Sequence, residues 1–215
     1  AVIPHAAASW MLGRSVGGAS WGKQLRQVYL ARHAAWLAVS HIHADHVGGM
    51  ARSQERTFSL GNRQTDLSGK RFFAPIEMSY PGLEAVVANE PTVLAPGVAT
   101  TGTIPRRLWL GNIREQALAV NVEGKGIVLI VGCGHQTMPK LVERVEDAFE
   151  APLHGLVGGM HYPVPAGRMR FLGIDAQRRM ASGDGFFDPL DENGVRAEAA
   201  LLKSRNPGVV AISGH

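Results

Sequence analysis

Residues 34 to 49 leave few architectures open. An apolar run, Ala34 to Val39, leads into Ser40-His41-Ile42-His43-Ala44-Asp45-His46 and then Val47-Gly48-Gly49. Four potential metal ligands fall within six residues, and imidazole with carboxylate is the ligand set that suits zinc, iron or manganese. A buried strand over Trp36-Leu37-Ala38-Val39 lets the chain leave its sheet at Ser40. In the still extended segment side chains two apart point the same way, so His41 and His43 can grip one ion. Asp45 and His46 follow the turn and approach from another direction, where they can serve a second ion. Gly48 and Gly49 let the backbone pass close to the site. A helix continues over Val47 to Gln54.

The clearest local structure is Ala117 to Gly132. Two β-rich runs, Ala117 to Val122 and Gly126 to Val131, flank Glu123-Gly124-Lys125 and predict a hairpin. The second run is apolar on both faces, which marks a central strand. Arg71 to Ala74 is a short strand stopped by Pro75, residues 77 to 92 are ambiguous, and Pro91 to Thr103 is extended with turns at Gly97 and Gly102. From Thr137, as cap, a helix carries Leu141, Val142, Val145, Ala148 and Phe149 on one stripe. His154 to Gly159 is a strand followed by His161, which the pattern assigns to the site as a ligand or substrate-contacting group; His154 is structural. Asp191 caps a helix to about Ser204 with Val195, Ala199, Leu201 and Leu202 inward and Glu198 outward, and Val209 to Ile212 is a last buried strand.

The segment from Ser40 to Gly49 resembles the His-x-His-x-Asp-His signature of the metallo-β-lactamase superfamily. Gly97 to Pro105, Gly132-Cys133-Gly134-His135 and Gly158-Gly159-Met160-His161 resemble most the branch of metal-dependent hydrolases related to dihydropterin-ribofuranosylaminobenzene-phosphate synthase. The resemblance runs from about residue 34 to the end of the chain. It implies an α/β fold, an αββα sandwich in a single domain over 1–215, with one or two divalent ions. Residues 1–33 match poorly: loop-like glycines precede a short helix at Gln24 to Arg32, so the N-terminal strands are either missing or atypical. Residues 164–191 read as a long loop over the site, with Arg168, Arg170, Arg178, Arg179, Asp175, Asp184 and Asp188 as minor candidates.

The commoner layout of the superfamily has a lone histidine before the hairpin and a bridging aspartate after it. No histidine lies between residues 62 and 116, and the aspartate position reads Cys133. The resemblance thus assigns His135 as the missing imidazole and His215, after the last strand, as the final ligand. Cys133 is left open between a thiolate ligand and a small buried residue. The expected ligand sets are His41, His43 and His135 for one ion and Asp45, His46 and His215 for another, with His161 nearby and Asp45 also orienting a water or taking its proton. Zinc is the first choice; manganese and iron suit the same ligands. His5 and His33 belong to no constellation.

The expected function is a metal-dependent hydrolase that activates a water to cleave a small, anionic substrate. Its rivals are a non-hydrolytic pterin-related synthase or transferase of the same fold, and an inactive metal-binding member. Among 215 residues, 45% are hydrophobic and 19% charged, an ordinary composition for one domain, and the net charge of +4 is scattered rather than clustered. Neither nucleic acid nor a membrane is an expected partner; oligomeric state is unreadable. The single cysteine rules out an internal disulfide and fits a reducing, cytoplasmic location. A start at Ala1 and a stop at His215 suggest a piece of a longer chain.

Overall fold

The computed structural model describes residues 8–10, 34–61, 64–108, 111–164, 170–171, 174–175, 178–179, 182–183 and 187–213. Strands β1 (Ala8–Trp10), β2 (Trp36–Ala38), β3 (Arg71–Ala74) and β4 (Glu84–Val87) form a parallel sheet in that order. A second sheet holds β5 (Thr92–Ala95), β6 (Val98–Thr100), β9 (Leu118–Val122), β10 (Gly126–Val131), β11 (Leu153–Gly159) and β14 (Val209–Ser213), ordered β14-β11-β10-β9-β6-β5. Between β6 and β9 the chain makes a separate hairpin, β7 (Ile104–Leu108) and β8 (Gly111–Glu115), and β12 (Arg170–Phe171) pairs with β13 (Ile174–Asp175).

Alternation along the strands builds the layers. In β2 and the residue after it, Trp36 and Ala38 join Phe73, Val98 and Leu118 between the sheets, while Leu37 and Val39 join Phe72, Phe58 and Tyr80 on the outer side. Helix α1 (Ala44–Val47) covers that outer side through Val47, and α2 (Met50–Gln54) follows it. In β10, Ile127, Leu129 and Val131 face Leu141, Val142 and Val145 of α3 (Met138–Ala148), and Ile130 faces back between the sheets. Helix α4 (Glu192–Ser204) adds Leu202 to that outer core. The result is helix, sheet, sheet, helix. It accounts for the two-faced apolar pattern of β10, which lies in the middle of its sheet.

Several expectations are corrected. The helix after the first motif starts at Ala44 and breaks at Gly48 and Gly49, whose φ angles are +96° and +123°; a side chain at Gly48 would press on Ser59. Thr137 precedes α3 without a side-chain cap because its own φ is +74°, whereas Asp191 does cap α4 through the Gly194 amide at 2.7 Å. Ala199 is exposed, and Glu198 is half-buried against Tyr162. Strand β14 is not buried: it is the edge of its sheet, and Val209, Val210 and Ile212 are exposed. The ambiguous residues 77–92 contain β4, and an unexpected β1 lies parallel to β2. The helix expected at Gln24 to Arg32 lies outside the described residues. No helix among the described residues is long and apolar enough to cross a membrane.

The two sheets are riveted near the site by Gln116, which is fully buried. Its Nε2 donates to the carbonyls of Val39 at 2.9 Å and Phe73 at 3.1 Å, and its Oε1 accepts from Thr100 Oγ1 at 2.8 Å. Replacing it with leucine leaves the Val39 carbonyl and the Thr100 hydroxyl without these partners, at about 1–3 kcal/mol for each buried group so stranded. Gln116→Leu should therefore unfold at lower urea, with a loss of at least about 2 kcal/mol; an unchanged midpoint would remove Gln116 from the account.

Candidate metal centre

Three strand ends meet at one edge of the sandwich. Beyond β2 the chain bends at Ser40 and reaches an extended His43, and the rings of His41 and His43 stand 4.6 Å apart between centroids. The first turn of α1 then brings His46 back to 4.1 Å from His41. Beyond β10, Gly132 to His135 place the His135 ring 5.1 Å from His41 and 4.8 Å from His43. Beyond β11, His161 takes a left-handed conformation, φ +44°, with its ring 4.4 Å from His135.

Two overlapping groups result. The nitrogens of His41, His43 and His135 lie within 4.8 Å of one another, and so do the ligating atoms of His41, His46 and Cys133. His46 thus faces His41 and Cys133: its Nε2 is 3.0 Å from the sulfur. Asp45, on α1, belongs to neither group; its Oδ2 is 3.5 Å from His46 Nε2 and its side chain is 28% exposed, at the rim. His215, like His5, His33, Arg168 and Asp184, lies outside the described residues. His154 is remote from this edge, packed against Gly208 at the start of β14. Arg178 donates Nε to the Leu190 carbonyl and its amide to Asp175, so both serve the loop. Asp188 is exposed.

The donor chemistry fits a cation. His135 is 2% exposed, yet neither ring nitrogen has a hydrogen-bond partner among the described residues, an arrangement that an ion would resolve. Burial, then the neighbouring His161, His43, Arg106 and His46, hold His135 well below the usual histidine range, and burial lowers His43 against the opposing charge of Asp45. Both are neutral at pH 7, the form that ligates. The Ser40 hydroxyl is 3.0 Å from His41 Nδ1 and 3.3 Å from His46 Nδ1, orienting two rings at once. Burial, then the charges of Glu115 and Asp45, push the Cys133 thiol above its ordinary range.

Sequence reasoning missed two features. Glu115, at the end of β8, is a fully buried carboxylate beneath the Cys133 to His135 loop and 3.8 Å from His41 Nδ1. A Glu-Gln pair entering an otherwise apolar hairpin was its only signal. The other is a cavity of about 360 Å³ beside His161 and Gly134, lined also by Arg106, Lys140, Tyr162 and Glu198. Ser182, Gly183 and Leu190 of the long loop border it, and Arg106 fixes its wall by donating to the carbonyls of His135 at 3.1 Å and Gly183 at 2.5 Å.

No family model and no curated protein matches this sequence. Among solved structures, Tm1679, described as a metal-dependent hydrolase of the β-lactamase superfamily, is similar at a TM-score of 0.56 and 14% identity, over 95% of this chain and 76% of that one. The metallo-β-lactamase fold protein YhfI from Bacillus subtilis matches at a TM-score of 0.42 and 15% identity, over 88% of this chain and 80% of its own. The order of layers, the sheet edge at which the histidines gather and the likeness to Tm1679 together give this chain the metallo-β-lactamase fold.

Proposed function

We propose that this chain is a metal-dependent hydrolase acting on a small anionic molecule. The observation that carries the reading is the pair of largely buried groups sharing His41, one of which contains an imidazole, His135, with both nitrogens unpaired among the described residues. His41, His43 and His135 would hold one divalent ion, zinc in the first instance. His46 and Cys133 would share His41 with it or hold a second. When bound, such an ion supplies Lewis acidity and lowers the pKa of a water towards neutrality. The description of Tm1679 as a metal-dependent hydrolase supports the same class.

The chain's own residues supply the rest. Asp45, at the rim, orients the attacking water and carries its proton to solvent. His161 stands between His135 and the cavity and contacts the substrate. Among the described residues Arg106 and Lys140 give that cavity two cations, while the one carboxylate lining it, Glu198, is engaged by the Tyr162 hydroxyl at 2.7 Å. This balance favours a carboxylate or phosphate on the substrate.

The test is a panel of phosphomonoesters, phosphodiesters, carboxyl esters, thioesters and lactams, assayed on metal-free protein before and after zinc, manganese or iron is restored. Cleavage that appears with the ion and vanishes with chelator is expected. For an anionic substrate, Lys140→Ala should raise KM about three- to fivefold with kcat unchanged, the effect of one exposed charge. A chain that loads metal and cleaves none of the panel is instead a non-hydrolytic enzyme or a binding protein.

A further inference from the structure

We propose that Glu115 is a positioning residue of the metal centre, an internal anion that shapes the Cys133 to His135 loop so that two ligands diverge from it towards the same histidine. The proposal rests on the metal-binding reading above. Glu115 Oε1 accepts from the amides of Cys133 at 2.9 Å and Gly134 at 3.1 Å, and Oε2 accepts from the amide of His135 at 2.9 Å. Three consecutive amides converge on one carboxylate, the geometry by which a backbone concavity holds an anion. Here the anion is covalently part of the chain.

The surroundings are built for this arrangement. Gly134 takes φ +76°, and an added side chain there would strike the Gly159 carbonyl, so the loop turns where the amides must converge. A side chain at Gly132 would collide with Ser40 and come to 2.8 Å of Glu115 Oε1. Ser40 is the residue that orients His41 and His46, so the carboxylate, the loop and the first motif are packed into direct contact. Glu115 is also 3.8 Å from His41 Nδ1, which places it beside a third ligand.

A fully buried carboxylate is expensive to keep, and a neutral side chain or a water could close a merely structural loop. An amide side chain in its place would accept through one oxygen only, whereas the carboxyl group accepts through both. In Glu115→Gln one oxygen becomes an NH2 that faces an amide hydrogen instead of accepting from it. The same swap removes the buried negative charge that would balance a dication held by uncharged imidazoles.

The experiment compares wild-type chain, Glu115→Gln and Glu115→Asp in two readouts. In metal-free protein, amide hydrogen exchange followed by NMR should accelerate at Cys133, Gly134 and His135 by about tenfold or more in Glu115→Gln, with the β9–β10 hairpin unchanged. In competition with a chelating dye, zinc affinity should fall about 10- to 100-fold, and Glu115→Asp, which keeps the charge, should recover part of it. Zinc affinity within twofold of wild type, or unchanged exchange at the three amides, overturns the proposal. So does failure of both variants to fold with and without zinc, because the carboxylate then serves the fold and not the site. A wild-type chain that takes up no ion overturns the functional reading as well, and that outcome is seen without any variant.

Discussion

His135→Ala should bind zinc at least about a hundredfold more weakly than the wild-type chain while unfolding at nearly the same urea concentration in the metal-free state. Even the outer partners of metal ligands are worth 10- to 100-fold in affinity, and a ligand is worth more. The unusual half of the expectation is the stability. A buried polar side chain normally costs its bonding partners when removed, but the His135 ring nitrogens have none among the described residues. Its truncation gives up packing and relieves a desolvated imidazole, and the two oppose each other. His43→Ala removes another member of the same group and should show the same loss of zinc from a half-buried position. Elemental analysis of the loaded proteins separates two arrangements. If His135→Ala loses one of two equivalents, the second group holds its own ion; if it loses all, the groups form one site. Zinc bound with wild-type affinity and stoichiometry would remove His135 from the centre.

What could be read from sequence, and what could not, follows from how far each signal reaches along the chain. Strand ends were legible because a ligand or glycine group follows an apolar run within a few residues, as at Val39 to His46 and Val131 to His135. The meeting of His41, His43 and His135 required only that both strands end at the same edge. The approach of His46 to Cys133 depends on residues 87 positions apart and on α1 starting at Ala44, a boundary no local pattern fixed. Glu115 was invisible because its partners are backbone amides, which leave no trace in residue type. Val209 to Ile212 looked buried because hydropathy does not distinguish a central strand from an edge one. The superfamily signature was enough to anticipate the fold; the cavity walls depend on Arg106 and on the long loop, which have no periodic signal.

The role of Cys133 can be read from how zinc affinity changes with pH. A thiol ligates as thiolate, so uptake through Cys133 must expel its proton, and affinity then climbs about tenfold per pH unit until the thiol ionises by itself. Burial and the charges of Glu115 and Asp45 keep that thiol protonated beyond the neutral range, so the climb should persist from about pH 8 to about pH 9. The other groups fall silent there. His135 and His43, with lowered values, are already neutral above pH 7 and have no proton to give. Glu115, pushed up to about 7 by burial against its three amide bonds, is protonated below that value and ionised above it, so it adds proton release only at and below neutrality. In the metal-free chain the same raised value means that its contribution to stability is present below the carboxylate's unfolded value and lost as pH rises through about 7. Restricting the measurement to alkaline pH therefore isolates the sulfur. Cys133→Ser should abolish the slope in this interval and, with cobalt in place of zinc, the sulfur-to-metal charge-transfer absorption. A wild-type affinity that is flat across the interval would make Cys133 a buried neighbour of His46 and leave the centre to its histidines.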